Sequence, residues 1–547
     1  MTNTLAQTMQ PHNLLNHILD QPGLVGTIRN LDACVLSKLI QHIGLEDAGE
    51  LVSLATIEQL KGIFDEDLWR SDTPGKDETF DADRFALWLE IMLETGPAFA
   101  AQTIMDLDED LITLALCRLV IVINLDDLLM RMSSSPNSTE DALLDKELES
   151  CLCQEFDEYL VISKNHQSWE AICSVLAELN EQNFSAFIRL LERCYHISIE
   201  YIDDNGGLYN VLTSEEMLES DMAAEREQRR ERKGFVSPSA ATSFLNLIRI
   251  TSLQAIVDSE TSDPITQAYF RSVKTEAESM VKTWTAENTS GGSKPATHSS
   301  IPVKLLQILQ DTEVISKPAW KKLEDTNMPR YTHLLLTQAI SAIKVRDEKF
   351  YSRILMELSY LSNVLISGCS FEGRYFRPVE AAEAVLAVCN LGSDHLLKIK
   401  AMTKFSRNIK MVVSLLTEHS LIKLFKVGWK ILHNDVSLYS ALALQHTLSQ
   451  LGKEITDQQQ AQKLKRIVSV LKAKVSAGKP WLFRNELNQL GEFIKGSWVL
   501  ALTALLDEYP TIPKNIKVQE PFQNSSFIST INQIREIQKY LRNSGMT

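Results

Sequence analysis

The chain has 547 residues, a net charge of −16, and 44% apolar against 23% charged residues. These values describe a soluble globular protein of several domains with ample core, and they argue against sequence-independent DNA binding, which needs a basic surface. Gly (21) and Pro (16) are scarce for the length, which favours long helices and few tight turns.

The first residues lack the basic segment and apolar run of a signal peptide. The most apolar run, 111–125, is interrupted by Arg118 and is shorter than the ~20 residues a spanning helix needs. It is read as a core helix, and no membrane span is expected. The eight cysteines form no CxxC pair and sit mostly in apolar helical text, as buried reduced thiols in a cytoplasmic protein do.

Residues 1–131 read as an N-terminal helical-repeat region. Three stretches resemble a helix, a short polar turn and a second helix. Leu51, Leu54, Leu60 and Ile63 form the first, with Thr56 and Gln59 at capping-box spacing between the halves. Ile104, Leu107, Leu111 and Leu114 form the second, with Asp108 at the turn. Leu176, Leu179, Phe184 and Phe187, with Asn180 at the turn, repeat the pattern in the next region. Stacked units of this kind bury a continuous core in a superhelix. The acidic stretch 65–83 is read as a surface loop; its carboxylates do not fall in the register of an EF-hand.

Residues 132–141 are a linker by composition, within a second helical region spanning 132–285. Around 203–207 an Asp-Asp-Asn-Gly-Gly run either closes a helix or turns a small hairpin between 197 and 213. The helix at 220–233 is rich in both signs of charge and is read as solvated. A new amphipathic helix is expected over 239–250. Residues 286–302, rich in Ser, Gly, Thr and Pro, are expected to be a flexible linker. The remainder, 303–547, is a C-terminal helical domain with a lysine-rich block at 398–479, a proline-punctuated extended segment at 507–522 and a last helix at 527–541.

The organising stretch of that domain is 354–392. Leu355, Leu358, Leu361, Val364 and Leu365 mark one helix. Pro378 opens a second, Ala-rich one, with Gly392 as its C′ residue. The loop between them holds Glu372, Arg374, Arg377 and Glu380. Two arginines and two carboxylates at a helix start make either an anion site or a structural ion-pair cluster. The structural cluster is preferred. Arg377, set by the following Pro378, is expected to hold the buried carboxylate.

No P-loop, no Gly-rich dinucleotide fingerprint, no HExxH and no GxSxG occurs. The eleven histidines show no ligand spacing, and Cys151 and Cys153 would point to different sides of a helix. No catalytic residue, metal ligand or cofactor is assigned.

Four segments, 39–69, 226–245, 357–392 and 527–541, carry a resemblance to an uncharacterised, mainly proteobacterial family known only as a domain of unknown function. That resemblance implies no activity, no cofactor and no site residue. The N-terminal units also resemble, in pattern only, the helical-repeat domains of magnesium-transporter cytoplasmic regions and of flagellar switch proteins.

The expected architecture is all-α: a superhelical N-terminal region and a C-terminal helical domain, with at most a small β-hairpin. The expected function is that of a non-enzymatic cytoplasmic interaction or regulatory protein that presents helical surfaces to protein partners. One alternative is an enzyme or anion-ligand sensor with its pocket around Arg374 and Arg377. Another is a nucleic-acid-associated factor using the lysine-rich block, which the overall charge disfavours. Salt-sensitive self-association is expected if the acidic stretch meets the lysines.

Overall fold

In a computed structural model of the chain, the residues described are 24–127, 130, 151–166, 168–203, 213–259, 263–271, 334–400, 408–514, 516 and 527–543. The linkers read at 132–141 and 286–302 lie outside them. The described residues are mainly helical, with two small sheets. They divide into two compact units: 24–71 with 78–229, and 72–77 with 230–271 and 334–543. The division falls inside the charged helix.

The first unit contains the three helix pairs read from the sequence. Helices α1 (Gly49–Leu54) and α2 (Ile57–Asp67) meet at a capping box: Thr56 Oγ1 accepts from Gln59 N–H, and Gln59 Oε1 accepts from Thr56 N–H. Gln59 is buried without cost because its Nε2 also donates to Ile28 O and Leu31 O, both at 2.7 Å. Asp108 caps the second pair, α3 (Pro97–Asp106) and α4 (Glu109–Leu119). The third pair is α5 (Trp169–Gln182) and α6 (Phe184–Asp203), and its turn lies at Asn183, three residues after the position expected.

The all-α expectation holds for the described residues, with two small sheets where at most one hairpin is expected. The apolar run at 111–125 is helical only to Leu119; β3 (Val120–Asn124) follows, because the β-branched Val-Ile-Val-Ile text suits a half-buried strand. It joins an antiparallel sheet in the order β3-β5-β4, with β4 (Cys153–Phe156) and β5 (Tyr159–Ser163). Cys153 therefore lies on an exposed strand, with Cys151 just before it, not on a helix. The second sheet pairs β1 (Trp69–Arg70) with β2 (Thr79–Phe80), inside the stretch read as a loop. At 197–203, the first strand of the expected hairpin, the backbone is helical; its turn and most of its second strand lie outside the described residues.

The charged helix α7 (Ser214–Arg232) is not solvated all round. Arg226 is 2% exposed, pairs with Glu78, donates to Asp65 O and stacks over Trp69 at 5.2 Å. Arg229 makes a two-pronged bond to Asp65 at 2.9 and 2.7 Å. Glu219 pairs with Arg118 and accepts from Phe80 N–H. Charges that read as a solvent face thus seam the helix to its own unit.

The second unit is built around α8 (Pro378–Lys400), whose side chains at 381–394 are all buried. Around it pack α9 (Leu335–Arg346), α10 (Glu348–Gly368), α11 (Ile409–Glu418), α12 (Leu421–Leu432) and α13 (Ile531–Asn543). Gly392, read as a C′ residue, instead lies mid-helix, where α8 crosses α12. The remaining elements used below are α14 (Pro238–Ile250), α15 (Leu253–Asp258), α16 (Tyr439–Glu454), α17 (Gln458–Ser476) and a 3-10 helix (Pro480–Glu492).

Candidate functional site

The loop between α10 and α8 is a tight hairpin. Phe371 and Arg374 exchange backbone hydrogen bonds at 2.9 and 3.0 Å. Glu372 (φ 53°) and Gly373 (φ 84°) supply the two left-handed positions such a turn requires. Phe371 stacks on Phe376 at 4.8 Å and anchors the turn to the core.

Of the four residues singled out, Arg374 and Glu380 come together. Two guanidinium nitrogens of Arg374 bond the two Glu380 oxygens at 2.8 and 2.9 Å. This pairing, with the Arg377 N–H, holds the Glu380 carboxyl below the usual carboxylate range although partial burial opposes it. Arg377 gives only its backbone N–H to Glu380, at 3.1 Å, while its side chain is exposed. The structural role expected of Arg377 belongs to Arg374. Glu372 is also exposed, and the loop uses its N–H rather than its carboxylate.

The loop does bind carboxylates, and they come from the chain itself. Ser370 N–H donates to Glu508 and Glu372 N–H to Asp507, each at 2.8 Å. Asp507 also accepts from Arg484 at 3.1 Å and from Glu508 N–H. Its pKa is nevertheless raised, because burial outweighs these partners. Cys369, fully buried beside Glu508, is pushed well up for the same reason.

Behind Glu508 lies a cluster that sequence reasoning missed. Arg249, at the end of α14, reaches Glu508 at 3.4 Å and lies over Trp481 at 4.1 Å and Trp429 at 5.3 Å. Lys430 donates to Arg249 O. His433 packs against both tryptophans, at 4.5 and 5.6 Å between ring centres. Burial, then Arg249 and Lys430, hold His433 well below its ordinary pKa, so it is neutral.

His433 also begins an irregularity. His433–Leu438 is a π-helical turn inside the continuous α12–α16 helix; Tyr439 N–H reaches back to Asn434 O. Such turns widen a helix and recur at functional sites. Along its buried face Trp429 Nε1, both His433 ring nitrogens, Ser437 Oγ and Ser440 Oγ have no hydrogen-bond partner among the described residues, nor does Arg249 Nε. Leaving each such group dry costs about 1–3 kcal/mol, so together they rival the whole stability of an ordinary domain, about 5–15 kcal/mol. The sequence signal was the Trp429-x3-His433-x3-Ser437 spacing, hidden in apolar helical text.

A groove of about 880 Å³ lies elsewhere in the second unit, lined by Leu247, Ile256, Asp263, Ile422, Lys423 and Lys426 among others. Lys426 pairs with Asp263 at 2.7 Å, and Lys423 donates to Ser259 O. Ile250, beside groove-lining Thr251, is 80% exposed. A cleft of about 300 Å³ between α17 and the 3-10 helix is lined by Lys463 and Arg466. Among the described residues no group of three or more His, Cys, Asp or Glu is placed to hold a metal ion, and no helix is long and apolar enough to cross a membrane.

These features describe a mainly helical protein whose charged loop is closed by its own carboxylates. Residues 2–199 match the model of a family of unknown function (DUF6178). The match includes the resembling segment 39–69; the other three segments lie beyond it. No curated protein and no solved structure matches the chain, so the likeness to magnesium-transporter domains finds no counterpart.

Proposed function

We propose that the protein is a non-enzymatic interaction or regulatory protein of the cytoplasm that presents helical surfaces to protein partners. The observation that carries this reading is the groove of the second unit. Its lining mixes Leu247, Ile256 and Ile422 with Asp263, Lys423 and Lys426, and Ile250, next in sequence to the lining residue Thr251, is 80% exposed. Accessible apolar side chains interspersed with polar and charged groups are the composition of a protein docking surface.

The alternatives ask more of the molecule. An anion sensor or enzyme at Arg374 and Arg377 needs Glu380, Asp507 and Glu508 to release donors they now hold. Nucleic-acid association through 398–479 needs free cations, yet Lys423, Lys426 and Lys430 are engaged with protein acceptors. On α17, Lys465 and Lys472 lie on one flank of the buried Leu464–Leu471 stripe and Lys463 and Lys474 on the other, so they share no face.

The test is affinity capture from the native host with wild type and with the Leu247→Asp/Ile250→Asp variant. Both positions are solvent-accessible, so the fold should persist, as circular dichroism would check. The expected result is a partner that co-purifies with wild type and is lost with the variant. An identical set of captured proteins for both would overturn the groove as the docking surface.

A further inference from the structure

We propose that the π-turn of the second unit is a binding site for internal water, which bridges Arg249 and Trp429 to His433 and the two serines. The site is a seam, not a single group. Trp429, His433 and Ser437 follow at intervals of four residues along one helix face, and the wide turn keeps them nearly in line; Ser440 continues the row. All four are at least nine-tenths buried. The 3-10 helix carrying Trp481 packs on the turn, as does α13.

The chemistry of the donors selects the guest. Arg249 Nε–H and Trp429 Nε1–H only donate. A neutral imidazole offers one donor and one acceptor, whichever tautomer forms. The hydroxyls of Ser437 and Ser440 do either. A guest must therefore accept from the arginine and the indole and also donate to the imidazole. A simple anion without a hydrogen cannot do the last, whereas water does both. The neighbouring charges do not demand an anion either, because Glu508 already faces Arg249 and Lys430 is engaged with Arg249 O. A guest that bonds these groups offsets the cost of burying them unpaired.

The molecule contains its own reference. Trp88, also fully buried, donates its indole N–H to Asp67 at 2.6 Å and needs no water. Full-length protein labelled with nitrogen-15 at tryptophan would be studied by magnetisation transfer from water to the indole N–H signals. Trp429→Phe and Trp88→Phe assign the two signals. The expected result is a water cross-peak at Trp429 and none at Trp88. His433→Phe, which fills the seam with a ring that cannot bond, is expected to remove the Trp429 cross-peak. No cross-peak at Trp429 in the wild type would overturn the proposal. So would a cross-peak that survives in His433→Phe, or one that vanishes when phosphate is added, which would mark an oxyanion as the preferred guest. A high-resolution crystal structure is the second readout, with an ordered water within hydrogen-bond distance of Trp429 Nε1 expected and direct apolar contact there overturning it.

Discussion

Gly392 on α8 and Gly428 on α12 meet backbone to backbone. A Cβ on Gly428 would lie 1.9 Å from Val388 O, and one on Gly392 would lie 2.0 Å from Leu424 O. The two glycines let the central helix and its main neighbour approach more closely than side chains allow, which explains two residues of poor helix propensity in fully helical positions.

Substitution of either glycine sets two effects against each other. Alanine gains up to ~1 kcal/mol of helix propensity. Against this stands an overpacking cost of ~3 kcal/mol or more, because the obstructing atoms are backbone carbonyls that cannot rotate away. Gly428→Ala and Gly392→Ala should each lower the denaturation midpoint. Gly452→Ala is the control: its Cβ would meet only a flexible leucine methyl at 3.4 Å, so the midpoint should hold or rise. A Gly428→Ala protein as stable as wild type would show that the helices can separate freely.

The crossing also marks how far sequence reading reaches. Gly392 was read as a helix end because local statistics place glycine there; only a partner 36 positions away, Gly428, gives it another reason. Likewise Pro378 announced the start of α8, and Thr56 with Gln59 announced a capping box, because those signals are local. The carboxylates that fill the 370–374 loop belong to Asp507 and Glu508, in a segment read only as extended. Nothing in the charged text of α7 told a solvent face from a face zipped to Asp65 and Glu78. The β3 strand was missed because a short apolar run has no period that separates strand from buried helix.

In the loop, Arg374 and Arg377 should differ, in the opposite sense to the sequence expectation. Arg374→Ala removes both prongs of the Glu380 pair, but the arginine is 41% exposed, so the cost should be only about 0.5–1 kcal/mol after solvent screening. Arg377→Ala should stay within about 0.5 kcal/mol, because its side chain lies at the surface. Thermal melts with and without phosphate test both. Phosphate stabilisation of the wild type that is lost in Arg377→Ala would restore the anion-site reading.

In the first unit, Arg226 should matter far more than its sequence context suggests. Removing one partner of a buried ion pair costs about 3–5 kcal/mol. Arg226 is almost wholly buried, whereas Glu78 is partly exposed and can recover water, so Arg226→Leu should fall near ~3 kcal/mol. Arg226→Lys keeps the charge but loses the fork and should be intermediate. Chemical denaturation of the three proteins gives the ranking; equal midpoints would return α7 to the solvated role.

His433 should impose a pH dependence on the second unit. Its native pKa is held well below the ordinary value by burial, then by Arg249 from α14 and Lys430 from its own helix, with Glu508 facing the arginine. The unfolded chain has an imidazole near 6.5. Above that pH both states are neutral and the full stability is present. As pH falls below 6.5 the unfolded state takes up a proton that the native state refuses, so stability is lost at up to about 1.4 kcal/mol per pH unit until the native pKa is reached. Asp507 and Glu357 act in the opposite sense, since burial raises both: their stabilising effect is present at low pH and is lost as pH rises through their native pKa values. The comparison must therefore be made between wild type and His433→Phe, which share those carboxylates. The stability difference between the two proteins should be constant from pH 7 to 8. As pH falls below 6.5 it should move in favour of the variant, with a slope of at most about 1.4 kcal/mol per pH unit. Urea denaturation at each pH supplies the numbers, and a difference that stays flat down to pH 5 would mean that His433 takes up its proton in the folded protein as readily as in the unfolded chain.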